Sequence, residues 1–212
     1  MRSKPRWKSR LFLFQKIFQF LNLDNFAKIS ITKTIAMIKV LGLGNALVDV
    51  LISIENDDIL KHLNLPRGSM QLVDENFLDL ATKATEGLTQ SIAAGGSAAN
   101  TINGIANIGI PCSFIGKISN DRFGEYYRQD MVKNRIEPVL LKGKAQTGRA
   151  TVFISKDSER TFGTYLGSAI EMVPDDLTPE MFEGYNFFHI EGYLVQNQDL
   201  IRKAMQLAHE KV

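Results

Sequence analysis

The stretch from Ala93 to Gly109, AAGGSAANTINGIANIG, decides how the rest of the chain is read. Two adjacent glycines, Gly95 and Gly96, lead into a segment whose Ile102, Ile105, Ala106 and Gly109 recur at helical spacing, so a loop is expected to open directly onto a helix. Residues this small let a ligand approach the backbone closely. The first helical turn has N–H groups without intrahelical partners, and the Asn100 amide adds a donor and an acceptor. A tight turn with close helix packing would select the same glycines and alanines, and on sequence alone both readings stand. Packing does not account for a polar Asn100 among Ala98, Ala99 and Ile102.

On the N-terminal side, Ile38 to Leu43 (IKVLGL) is a near-continuous apolar run ending in Gly44-Asn45, the pattern of a buried parallel strand followed by a turn. VLISI after Asp49 reads as a further strand, Asp57 to Leu63 as a short helix, and Glu75 to Thr85 as another helix. On the C-terminal side, IPCSFIGKI reads as a strand, Asn120 or Asp121 caps a helix to about Asn134, and VLL is a brief strand. Thr147 to Ile154 and Arg160 to Leu166 flank a Lys156-Asp157-Ser158 turn and predict a β-hairpin. YNFFHIEGYLV is strand-like, and Gln198 to Lys211 is a helix with Ile201, Ala204, Met205 and Ala208 on one face. Alternating strands and helices predict a layered α/β fold with a parallel sheet, and the Thr-rich hairpin a small accessory β-layer.

The 212 residues carry 25 basic and 23 acidic side chains, a balance that hides an asymmetry. Residues 1–36 hold eight Lys/Arg against one acid, whereas residues 37–212 hold 17 against 22. The acidic body disfavours nucleic acid as a partner. The basic, Phe-bearing opening has an apolar run, Leu11 to Leu23, too short and too polar to span a bilayer. It reads as a secretory signal, as an amphipathic targeting helix, or as translation upstream of a start at Met37. One cysteine, Cys112, precludes an internal disulfide, and three scattered histidines give no zinc spacing; a reducing, cytoplasmic setting is expected.

Gly42-Leu43-Gly44 lacks the third glycine of a dinucleotide fingerprint, since Leu47 occupies that position. Asp49, in GNALVD, lies on an otherwise apolar segment, where a carboxylate is costly without a partner. Either it accepts backbone N–H bonds in the turn, or it projects into the cleft at the carboxyl edge of the sheet and accepts from neighbouring sugar hydroxyls. Asp121 reads as a helix cap without chemistry. Glu191 is a carboxylate at the end of a buried strand, with His189 on the same side to satisfy it.

Taken in order, GNALVD, AAGGSAANTINGIANIG, FIGKISNDRFG, TGRATVFISKDSERTFGTYLGSA and HIEGYL resemble the ribokinase or PfkB family of carbohydrate and nucleoside kinases, over Met37 to Val212 and nearest its adenosine-kinase-like branch. The resemblance implies a ribokinase-like three-layer α/β sandwich, here incomplete at the C-terminus, with a small β-sheet lid drawn from Ser69–Val73, Ser91–Ala94 and Thr147–Leu166. It implies that Asp49 and Asn100 bind sugar hydroxyls, that Gly95 and Gly96 give backbone approach, and that Glu191 lines the same pocket. It also implies ATP and Mg2+, a small sugar or nucleoside as acceptor, no membrane association of the body, and a homodimer through the lid. The chain holds no Gly-Ala-Gly-Asp, the family's motif for an anion hole and general base, so that base is expected beyond Val212. Asn134-Arg135-Ile136-Glu137 matches the family's Asn-x-x-Glu by letter but precedes the Glu191 strand instead of following it, and reads as chance. The alternative expectation is a catalytically inactive sugar- or nucleoside-binding module.

Overall fold

In a computed structural model of the protein, residues 38–212 are described; the expected basic extension, 1–36, and the expected start at Met37 lie outside them. Val40–Leu43 forms β1, and all four residues are buried because parallel neighbours flank it on both sides and both its faces are covered. Its partners are β5 (Cys112–Ile118) and β9 (Phe187–Ile190), and β6 (Ile136–Lys142) completes a four-stranded parallel sheet in the order β6-β5-β1-β9. The strand expected as VLL is therefore seven residues long and runs through Pro138. A proline interrupts a ladder least at a sheet edge, where β6 lies.

Alternation along β1 assigns the two covering layers. Leu41 and Leu43 pack with Ile115 against α5 (Gln198–Lys211) and the 3-10 turns around Met172 and Phe182. Gly42 faces the opposite way, where an added Cβ would overlap Ile102 of α3 (Ser97–Asn107). The glycine before Asn45 has the same cause: a Cβ on Gly44 would stand 2.7 Å from that of Ala98. Helix packing thus accounts for a glycine pair that a dinucleotide reading does not. α5 buries Leu200, Ala204, Leu207 and Ala208, packs Ile201 partly buried beside them and leaves Met205 52% exposed, so the expected face holds except at Met205, and Leu200 and Leu207 join it.

The second sheet is five-stranded, in the order β3-β8-β7-β2-β4, built from β2 (Leu47–Ser53), β3 (Met70–Leu72), β4 (Gln90–Gly95), β7 (Gly148–Ile154) and β8 (Arg160–Tyr165). The β7–β8 pair is the expected antiparallel hairpin. All three segments expected to supply the lid lie in this sheet, together with β2, which the sequence reading did not place in it. One face packs Ile52 and Phe153 against α1 (Asp58–His62) and α2 (Glu75–Ala84) through Leu60, Phe77 and Ala81. The other face is left for the cavity described below.

The crossings between the sheets are held by carboxylates. Asp121 caps α4 (Arg122–Lys133) by accepting from Phe123 N at 3.1 Å and Gly124 N at 2.8 Å, and also accepts from both the backbone N and the hydroxyl of Thr147, each at 2.8 Å. Glu171 accepts from Lys144 N and Ala145 N on the same β6–β7 connection. Burial works to raise the Asp121 carboxyl, but the hydrogen bonds from Thr147, Gly124 and Phe123 together outweigh it and hold it below its ordinary 3.8. Its stabilisation is therefore present above the unfolded value and is lost as pH falls through the lower folded one. Asp121→Ala should cost about 2–3 kcal/mol at neutral pH, a cap plus the bonds to Thr147. Urea unfolding at neutral and acid pH would show the deficit shrinking below pH 3.8; an equal deficit at both would contradict this role.

Residues Lys39–Val212 form one compact unit. Cys112 is 5% exposed, and burial pushes its thiol up to about 11. The thiolate is the nucleophile, so native protein should resist iodoacetamide at mildly alkaline pH while urea-unfolded protein reacts. Rapid alkylation of the native protein would contradict the packing assigned to β5.

Candidate acceptor site

A cavity of about 450 Å³ lies between the open face of the five-stranded sheet and the carboxyl edge of the parallel sheet. That volume is in the range of small-molecule sites, and the edge is where open α/β sheets receive ligands. Asp49, Gly96, Asn100 and Glu191 all line it, brought together from β2, the start of α3 and the end of β9. Gly95 does not line it. That residue lies beneath the site, where any Cβ would overlap the Asp49 carboxylate, so its part is to leave that carboxylate room.

Asp49 is the third residue of β2 and is not in the preceding turn, which removes the reading of it as a turn acceptor. Strand alternation turns it to the cavity while Val48 and Ile52 are buried beneath. Burial is the main influence on its carboxyl and raises it, opposed by the charge of Arg160, and no described protein group donates a hydrogen bond to it. Its flanking neighbours across the sheet, Ala150 and Ala93, are small. The result is a desolvated acceptor with open space in front of it.

Gly96 sits at φ +94° and ψ 129°, a backbone conformation that favours glycine, and an added Cβ would overlap the carbonyl oxygen of Asn45. The tight-turn reading holds at Gly96, and the same residue lines the cavity. No side chain caps the N-terminus of α3. Asn100, one turn in, bonds through its backbone N to Gly96 O at 2.9 Å and is exposed.

Glu191 is the first residue past β9, so the strand expected through Val195 ends at Ile190 and gives way to a 3-10 turn, Gly192–Leu194. Its carboxylate accepts from the Thr101 hydroxyl at 3.0 Å and lies 2.9 Å from His189 Nε2, the pairing expected for that histidine. A hydrogen bond from Ser97 leads the influences that hold it below its ordinary 4.5, with His189 and Thr101 adding to it against a modest opposing burial. It is anionic at neutral pH and tied to α3 by the Thr101 hydroxyl, which fixes the first turns of α3 against the end of β9.

Sequence reasoning did not single out Asn45, Phe162, Leu166 or Tyr193, which also line the cavity. Asn45 stood in the quoted GNALVD motif, where its polarity in a turn next to Asp49 was an available signal. The others come from β8 and from the turn after β9, and only the sheet register gathers them.

The fold and the site together define an α/β protein with a second β-sheet facing a pocket of small-molecule size at the carboxyl edge of its parallel sheet. The pfkB family carbohydrate kinase model matches residues 69–212, and the chain belongs to that family. The chain is 30% identical over 123 residues to "Probable fructokinase-2" of Arabidopsis thaliana, covering 56% of this chain and 36% of that protein. It is 33% identical over 103 residues to "Aminoimidazole riboside kinase" of Salmonella typhimurium, covering 46% and 31%. The crystal structure of adenosine kinase from Sinorhizobium meliloti superposes with a TM-score of 0.72 at 30% identity, covering 82% of this chain and 54% of that one. The chain thus spans about a third of the curated relatives' length and about half that of the solved structure.

Proposed function

We propose that the protein is the acceptor-binding part of an ATP- and Mg2+-dependent kinase that phosphorylates a hydroxyl of a sugar or nucleoside. The observation that carries this reading is the convergence of Asp49, Asn100 and the Gly96 backbone on one cavity under a lid, in a chain of the pfkB family. Asp49 accepts hydrogen bonds from two neighbouring hydroxyls, and Asn100 donates to one of them and accepts from another. Glu191, already bonded to Thr101 and His189, lines the far wall and positions the α3 turn. The lid excludes water that would otherwise compete as phosphoryl acceptor.

In this reading the residues lining the cavity serve the acceptor and not the nucleotide. Among the described residues no group of three or more His, Cys, Asp or Glu is placed to hold a metal ion, and no lysine or arginine lines the cavity. No described helix is long and apolar enough to cross a membrane. The cytoplasmic setting we propose rests on cysteine usage, a single Cys112 in the whole chain. A homodimer through the lid would cover the open edges of β3 and β4.

The test is phosphoryl transfer from radiolabelled ATP, with Mg2+, to a panel of sugars and nucleosides by the protein isolated from its native source. Turnover on any of them supports the reading. No turnover, with retained binding of a sugar or nucleoside, would favour the inactive binding module; absence of both would defeat the site assignment.

A further inference from the structure

We infer that the acceptor carries a planar, uncharged aglycone, so that the cavity takes a nucleoside in preference to a free sugar. This rests on the proposed function above and names its substrate class. The lid register maps the cavity strand by strand. One row across the open face runs Leu72, Thr164, Ala150, Asp49, Ala93, and the next runs Met70, Phe162, Val152, Leu51, Ser91. Neighbouring strands lie about 4.8 Å apart, so Leu72 stands roughly 14 Å from Asp49 and Phe162 begins roughly 10 Å away. The polar end and the apolar end are thus separated by two to three strands, more than one sugar ring covers.

The side chains at the far end have no hydroxyl-matching chemistry. Met70 and Leu72 are 51% and 55% exposed on the lid, Phe162 lies beside them, and Tyr193 opposes from the body at 65% exposure. Large apolar groups left in water around a cavity favour a ligand that covers them. A hexose seated at Asp49 leaves that wall wet, and one shifted toward the wall would set hydroxyls against methyl and ring carbons without partners. A flat heterocycle joined to a sugar satisfies both ends at once, with its faces against Phe162 and Met70.

Charge narrows the class further. Among the described residues, Asp49 and Glu191 are the only acidic ones lining the cavity, and no basic residue lines it. Arg160, the nearest cation on this lid face, is turned over the Phe162 ring at 5.8 Å from its centroid. An anionic aglycone would share the cavity with two carboxylates, while Arg160 stays engaged with the Phe162 ring outside the lining.

Titration calorimetry of the chain with adenosine, ribose and fructose tests this. Adenosine is expected to bind at least about 30-fold more tightly than either sugar, reflecting the added apolar area. Phe162→Ala, and separately Leu72→Ser at an exposed edge-strand position, should each weaken adenosine about tenfold and leave ribose within about twofold. Ribose or fructose binding as tightly as adenosine, or both variants weakening all three equally, would overturn the inference while leaving the sugar site intact. Binding of none of the three would overturn both this inference and the function it rests on.

Discussion

Asp49→Ala is expected to lower affinity for sugars and nucleosides by about 10²- to 10³-fold while leaving the fold at least as stable. Two hydrogen bonds to a buried charged acceptor are worth about 3–4 kcal/mol together, and the described protein donates none of its own to this carboxylate. A group that serves the fold loses stability when removed; one held in readiness for a ligand does not. The pH dependence has a definite sign. Burial raises the folded carboxyl above its ordinary 3.8, so between that value and the raised one the folded protein binds more protons than the unfolded chain. Stability contributed by this group therefore falls as pH rises through that window and stays lower above it. Asp49→Asn should accordingly raise the melting temperature at neutral pH and give no gain below pH 3.8. Calorimetric binding and melting curves measure both effects. A variant that keeps its affinity and loses stability would make Asp49 a structural residue.

Gly96→Ala should unfold or severely weaken the protein. At φ +94° an alanine is strained, and its methyl would overlap the Asn45 carbonyl oxygen, a backbone atom that can yield only if the β1–β2 connection moves. Strain of this kind with a backbone clash costs about 3 kcal/mol or more. Asn45 and Gly96 both line the cavity, so any protein that still folds should bind poorly. Gly104 supplies the opposite sign in the same helix. A Cβ there meets nothing within 4 Å, and Gly104→Ala should gain about 0.5–1 kcal/mol by lowering the entropy lost on helix formation. Equal effects of the two substitutions in urea unfolding would mean that Gly96 is not held as described.

Much of this arrangement was legible in the sequence because it is written locally. The helix over Ser97–Asn107, the cap at Asp121, the β7–β8 hairpin and the Glu191–His189 pairing each follow from residues within a few positions of one another. Asp49, Gly96, Asn100 and Glu191 stood out within their own motifs, and the fold gathers them around one cavity. What escaped depends on contacts distant in sequence. Nothing near Leu47 shows that β2 leaves the parallel sheet to lie between β7 and β4, where Asp49 turns to the cavity. Gly95 reads as a ligand approach until its place beneath Asp49 is seen. The edge position of β6, which tolerates Pro138, and the inner face of α5 are likewise set by neighbours far along the chain. The row joining Leu72 and Thr164 to Asp49 spans strands more than 100 residues apart and exists only as register.

The central claim, that the polar end of this cavity holds sugar hydroxyls, is tested most directly by a crystal structure of the protein with adenosine bound. The account predicts ribose hydroxyls within hydrogen-bond distance of the Asp49 carboxylate and the Asn100 amide, with the base against Phe162 and Met70. A nucleoside seated elsewhere, or one with its base on Asp49 and its ribose toward β3, would contradict it.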